Sequence, residues 1–238
     1  MNEILTIIVL TALAGACIPL GGLLASVERF RPHWLEREFR HFLIALGGGI
    51  LLGAVAVVLV PEGKALLGGS LWAIPLFLAG GLAFFAIERM LGLRRREAPQ
   101  LMGMILDFVP EAIALGGMMA SESPIAPLLA LLIGLQNLPE GFNAYRELRD
   151  QGRTRHATLT TMSALVMIGP AAGLAGYLFL SDHPAALGGI MLFASGGILY
   201  LIFQDIAPQS RLARHWGPPL GAVLGFSLAL FSRMLAGG

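Results

Sequence analysis

The feature that most restricts the fold of this chain is the recurrence of apolar stretches about 20 residues long, the length an α-helix needs to cross a bilayer. Eight can be marked, at roughly 4–26, 41–61, 70–92, 101–120, 124–145, 157–180, 184–204 and 216–236. With 56% of residues hydrophobic, 13% charged and a mean hydropathy of +0.75, a single water-soluble core is the wrong description, since soluble chains run to about a quarter charged. The 31 glycines fit closely packed membrane helices, where small residues let backbones approach. The expectation is an all-α polytopic membrane protein, with residues 1–238 forming one transmembrane domain.

The connections between these runs alternate in charge. RFRPHWLEREFR, RMLGLRRREAPQ, YRELRDQGRTRH and SRLARHW are basic, whereas EGKALLGGS, SESP and SDHP are short and carry one lysine among them. Of 16 lysines and arginines only Lys64 and Arg233 fall on the second side, which makes the basic side cytoplasmic and places both termini outside. Short loops and compact length suggest a prokaryotic inner membrane. Ala14, Gly15, Ala16 and Cys17 faintly resemble a processing site for a lipid-anchored cysteine. The segment before them has Glu3 and no lysine or arginine, however, and the apolar run continues to Ser26, so a first membrane helix is the simpler account. A lone cysteine forms no internal disulfide.

An internal repeat is visible. ALGGGILL (45–52) in the second run resembles ASGGILYL (194–201) in the seventh, and each is followed about a dozen residues later by a proline, Pro61 or Pro208. On the topology above these two helices point in opposite directions, the mark of an inverted repeat, in which the substrate site lies near the midplane.

The fourth and fifth runs contain LDFVPEAIALGG (106–117) and LQNLPEGFNAY (135–145). Asp107 and Glu111 are four residues apart, as are Gln136 and Glu140, so each pair projects from one face of its helix, one turn above the other. Pro110 and Pro139 lack an N–H and release the carbonyls of Leu106 and Leu135, which favours a bend beside each pair. A carboxylate near the bilayer centre costs about 2.5–3.5 kcal/mol on insertion scales, and no lysine or arginine lies in the middle of any run to neutralise these three. The missing positive charge then comes from outside. A divalent cation is the first candidate; shared protons are the second.

At this point the chain resembles the ZIP family of divalent-metal transporters. The matching stretches are Asp107, Phe108, Val109, Pro110, Glu111, Ala112 and Gln136, Asn137, Leu138, Pro139, Glu140, Gly141, which are similar to the family's His-Asn-x-Pro-Glu-Gly-like motifs; FASGGILYLIFQDIAPQS resembles its glycine-rich seventh helix. The resemblance implies eight helices in a 3+2+3 inverted-repeat architecture and a transport site between the fourth and fifth. It also implies departures. Asp107 stands where the family usually has His, Phe108 where it has a polar ligand, and Gly169 where many members have Glu, so one metal position is expected rather than two.

The expected ligands are Asp107, Glu111, Gln136 and Glu140, with Asn137 beside them and Asp205 and Gln204 as a second tier near the cytoplasmic end of the seventh helix. An all-oxygen set is harder than a His-containing one and should admit Mn²⁺, Fe²⁺ or Cd²⁺ alongside Zn²⁺. The five histidines, His33, His41, His156, His183 and His215, lie outside the centres of the runs, and Asp182–His183 reads as a turn. Glu88 and Arg89 read as an interfacial pair without chemistry.

The function these features imply is import of a divalent transition metal by alternating access, with the ion as cargo, no permanently bound cofactor, the lipid bilayer as surroundings, a homodimer as a compatible assembly, and no nucleic-acid partner. The chain has no His-Glu-x-x-His, no Gly-x-Gly-Asp and no Ser-His pair inside a run, so it is not expected to be an enzyme. A non-transporting metal-binding receptor or regulator on the same fold is the rival reading.

Overall fold

The computed structural model describes residues 3–27, 33–93, 99–213 and 215–236. Their secondary structure is helical throughout, apart from turns and one isolated bridge between Leu212 and His215. In chain order the helices are α1 (Glu3–Val27); α2 (His33–Ala54, a π-helical turn at Val55–Leu59, then Val60–Leu66); α3 (Ala73–Leu93); α4 (Pro99–Ala120); α5 (Ala126–Asp150); α6 (Arg155–Leu165 and Ile168–Leu180); α7 (Pro184–Leu201, a π-helical turn at Ile202–Ile206, then Ala207–Ser210); and α8 (Leu220–Ala236). Of these, α1 to α4, α6 and α7 are long and apolar enough to cross a membrane. The chain is a multi-pass membrane protein.

Helices α5 and α8 stand apart for different reasons. The last is only 17 residues long. In α5 the hydropathy is lowered by Gln136, Asn137, Glu140, Asn143, Arg146, Glu147, Arg149 and Asp150, and the helix runs five residues past the expected end at 145, to Asp150. The expected bounds move elsewhere too. The sixth run is broken at Val166 and Met167, because Pro170 supplies no N–H to the Val166 carbonyl and its ring crowds that group. Of the basic connections, residues 28–32, 94–98 and 214 lie outside the described residues.

Prolines also explain the two π-helical turns. In α2 the Val60 N–H donates to the Val55 carbonyl, and in α7 the Ala207 N–H donates to the Ile202 carbonyl. Each is an i→i−5 bond made by the residue directly before a proline, Pro61 or Pro208. One widened turn absorbs the lost donor without breaking the helix.

The helices pack as two groups, α1 with α4, α5 and α6, and α2 with α3, α7 and α8. Within them four pairs come closest: α1 with α5, α4 with α6, α2 with α8, and α3 with α7. Each of these contacts is made by a glycine that a larger residue could not replace. A Cβ added at Gly21 would lie 2.1 Å from the Leu138 carbonyl oxygen, at Gly116 1.8 Å from that of Gly173, at Gly49 2.2 Å from that of Ala222, and at Gly196 1.9 Å from that of Phe77. The two groups meet mainly where α2 lies on α5 and α7 lies on α4.

Candidate metal site

Asp107 and Glu111 on α4, and Gln136, Asn137 and Glu140 on α5, are all buried. The Gln136 side-chain amide donates to Glu111 Oε2 at 2.5 Å. Asp107 and Glu140 line one small cavity together, and Glu140 lies within electrostatic range of both Asp107 and Glu111. The four side chains therefore stack as two rungs across α4 and α5, Glu111 with Gln136 and Asp107 with Glu140. The i, i+4 spacing on each helix and the opposed helix directions produce this arrangement together.

The rungs carry more acceptors than the protein satisfies. Asp107 Oδ1, Glu111 Oε1, Gln136 Oε1 and both carboxylate oxygens of Glu140 are buried with no hydrogen-bond donor. None of these carboxylates forms an ion pair among the described residues. A buried polar group without a partner is destabilising, and several acids at one point are more so. Among the described residues no three His, Cys, Asp or Glu side chains are close enough to hold a metal as they stand. The rungs lie one helical turn apart, so a common ligand would need side-chain rotation to draw them together.

The cavity beside Asp107 and Glu140 has a volume of about 30 Å³ and is completed by Gly103, Met104, Leu201, Asp205 and Ile206. That is room for about one or two waters. Its walls are the first half of α4, the last half of α5 and the π-helical turn of α7, so it lies toward the ends of these helices that the basic connections join. Toward the other end of the same helices, Leu115, Met118, Leu129, Leu132 and Ile133 are fully buried. The site thus has buried apolar side chains toward one end and a further carboxylate, Asp205, at the cavity.

The remaining predicted positions separate. Gln204 is exposed and does not line the cavity, whereas its neighbour Asp205 does. Asn137 donates through Nδ2 to the Ala14 carbonyl at 3.0 Å, tying α5 to α1, and its Oδ1 has no partner. The Phe108 ring fills the space between α4, α1 and α6: a Cβ added at Gly169 would lie 2.8 Å from Phe108 Cζ, and one at Gly15 3.2 Å from it. Glu88 and Arg89 are not an interfacial pair. Glu88 is buried and Arg89 exposed, because neighbours on a helix point about 100° apart and position 88 shares the buried stripe of Phe84. His41, His156, His183 and His215 lie away from the site, His215 pairing with Glu38; the side chain of His33 is outside the described residues.

Three residues of the site escape a sequence reading. Met104 lines the cavity with Asp107, placing a thioether beside the oxygens. Its spacing, three residues before Asp107, carried the signal, but a methionine in an apolar helix is ordinary core. Asn143 donates to the Pro139 carbonyl at 2.9 Å while its Oδ1 stays buried without a partner. Gly47 on α2 faces Pro139 and Glu140: a Cβ there would meet Pro139 Cγ at 3.4 Å and Glu140 Cγ at 3.6 Å.

No protein-family model matches the chain. A protein named zinc transporter GufA, from Myxococcus xanthus, is 36% identical to it over 141 residues, which are 58% of this chain and 55% of that protein. The chain thus spans about half the length of the curated relative it matches.

Proposed function

We propose that this chain is a ZIP-like transporter that carries a divalent transition metal into the cytoplasm by alternating access, with Asp107, Glu111, Gln136 and Glu140 as the transport site. The observation that carries the proposal is the set of five buried acceptor oxygens on facing sides of α4 and α5 with neither donor nor counter-charge among the described residues. A divalent cation satisfies carboxylates and an amide oxygen at once and supplies the missing counter-charge. The relationship to a protein named as a zinc transporter supports the same reading. Zn²⁺ is the first substrate to test, with Mn²⁺, Fe²⁺ and Cd²⁺ admitted by the oxygen-rich set.

The architecture assumed is eight membrane helices in a 3+2+3 inverted repeat with both termini outside. Exchanging α1 with α6, α2 with α7, α3 with α8 and α4 with α5 maps each of the four tight helix pairs onto another tight pair, and maps one proline-linked π-helical turn onto the other. In the transport cycle an ion enters from the outer face, binds when the two rungs close on it, and leaves past Asp205 after the two helix groups shift relative to each other. Because the carboxylates bind metal only when deprotonated, metal release and proton uptake are linked.

Uptake into proteoliposomes tests this. Wild-type chain should accumulate Zn²⁺ or one of the other three ions, and Glu111→Gln or Glu140→Gln should abolish accumulation. Binding that survives with no ion crossing under any gradient would instead establish the receptor reading.

A further inference from the structure

The cavity beside Asp107 and Glu140 is small enough to decide which atoms an occupant touches. At about 30 Å³ it admits one or two waters, or one ion, so anything inside it lies against the walls. Three of the five unsatisfied acceptor oxygens belong to those walls: Asp107 Oδ1 and both carboxylate oxygens of Glu140. Asp205 adds a further carboxylate, and Gly103, Leu201 and Ile206 carry no side-chain lone pair. Met104 is different. It is buried, sits three residues before Asp107 on the same face of α4, and is the one sulfur-bearing residue in the wall among the described residues.

We propose that Met104 determines specificity: its thioether joins the Asp107–Glu140 rung as a soft donor and ranks the ions this site accepts, favouring Cd²⁺ and Zn²⁺ over Mn²⁺. The proposal rests on the reading of that rung as an ion site and names the substrate class within it. A thioether sulfur is uncharged and polarizable. It binds soft and borderline ions well, whereas Mn²⁺ is suited by carboxylate, carbonyl and water oxygens and gains little from it. In open water so weak a donor would lose its place to solvent. A cavity with room for one or two waters offers few competitors.

The donor set is also economical in movement. Asp107, Glu140 and Met104 already border one space, so sulfur and carboxylates reach an ion there without drawing the two rungs together. Packing alone does not call for sulfur at this position. Leucine and methionine exchange readily in cores, and Leu201 and Ile206 line the same cavity, so a purely structural position would be served by leucine.

That equivalence makes Met104→Leu the test, since it removes the sulfur and keeps the bulk, and the fold should survive it. The parent protein is the full, untagged chain in detergent carrying Cys17→Ser, which removes its one thiol. Cd²⁺ and Mn²⁺ binding are measured by equilibrium dialysis with elemental analysis, and the neighbours of bound Cd²⁺ by X-ray absorption at the cadmium edge. Met104→Leu should lower Cd²⁺ affinity about tenfold while Mn²⁺ affinity changes by no more than about twofold, and the sulfur neighbour seen in the parent should vanish. Met118→Leu, the same exchange at a buried methionine of α4 outside the cavity, should change neither. The proposal is overturned if the ratio of Cd²⁺ to Mn²⁺ affinity is the same in Met104→Leu as in the parent, if the parent's cadmium has only oxygen neighbours, or if Met118→Leu moves the ratio equally. Glu140→Gln separates the two readings. Where Cd²⁺ binds the parent, is lost in Glu140→Gln and is indifferent to Met104→Leu, the ion site stands and the role of Met104 falls; where the parent binds no ion, or Glu140→Gln binds as the parent does, both fall.

Discussion

The contacts inside each helix group and the contacts between the groups are built differently. Inside a group, glycines bring backbone onto backbone, as where Gly116 meets the Gly173 carbonyl and Gly196 meets that of Phe77, with no room for even one added carbon. Between the groups the nearest neighbours of the glycines are side-chain atoms, Pro139 Cγ at Gly47 and Leu187 Cδ1 at Gly117. The same boundary holds the polar cavity and an apolar groove. Interdigitated backbones resist sliding, whereas a boundary of side chains and cavities tolerates it. The comparison teaches that the unsatisfied carboxylates sit beside the more loosely packed of the two kinds of boundary.

The largest expected effect attacks the rigid side of that comparison. Gly116→Leu or Gly196→Leu should prevent recovery of folded protein, because the new side chain would overlap a backbone carbonyl that cannot move alone; size-exclusion profiles and thermal unfolding check this. Next come the acids. Glu140→Gln should abolish Zn²⁺ uptake, and yet the metal-free variant should unfold at the same or a higher temperature than wild type, because a membrane-buried carboxylate costs about 2.5–3.5 kcal/mol when nothing neutralises it. Loss of both uptake and stability would mean that Glu140 is structural.

The pH response has a definite sign. Metal displaces protons from the carboxylates, so lowering the outside pH should raise the KM for uptake by the wild-type chain. Uptake that is indifferent to pH would remove the acids from the binding step. A smaller effect is expected at the cavity's edge: Asp205→Asn should slow uptake several-fold without changing equilibrium metal binding, since Asp205 lines the approach and not the rungs. The smallest is Gly47→Ala. Its Cβ would make an ordinary contact with Pro139, so stability should hold within about 0.5 kcal/mol while the transport rate changes modestly.

Much of this site is legible from residue spacing. Two i, i+4 pairs on adjacent apolar runs already place Asp107 with Glu111 and Gln136 with Glu140, because helical periodicity alone decides which residues share a face. Spacing does not say which rung each residue joins. That Glu111 meets Gln136 while Asp107 meets Glu140 follows from how two opposed helices slide into register. Distance in sequence hides the rest. Asp205 lies 98 positions from Asp107, and nothing local distinguishes it from the exposed Gln204 beside it. Neighbouring side chains on a helix point in different directions, so only Asp205 reaches the cavity.

The sequence by itself determined that the chain is helical, lies in a membrane and carries acids where lipid forbids them, because hydropathy and helical periodicity are local properties that a linear pattern records. Only the tertiary structure decided that the helices divide into two groups, that the acids face a boundary between them, and that Phe108 packs into the space beside Gly15 and Gly169. Those outcomes depend on close approach between residues far apart in the chain, where the presence or absence of a single Cβ selects which surfaces can meet.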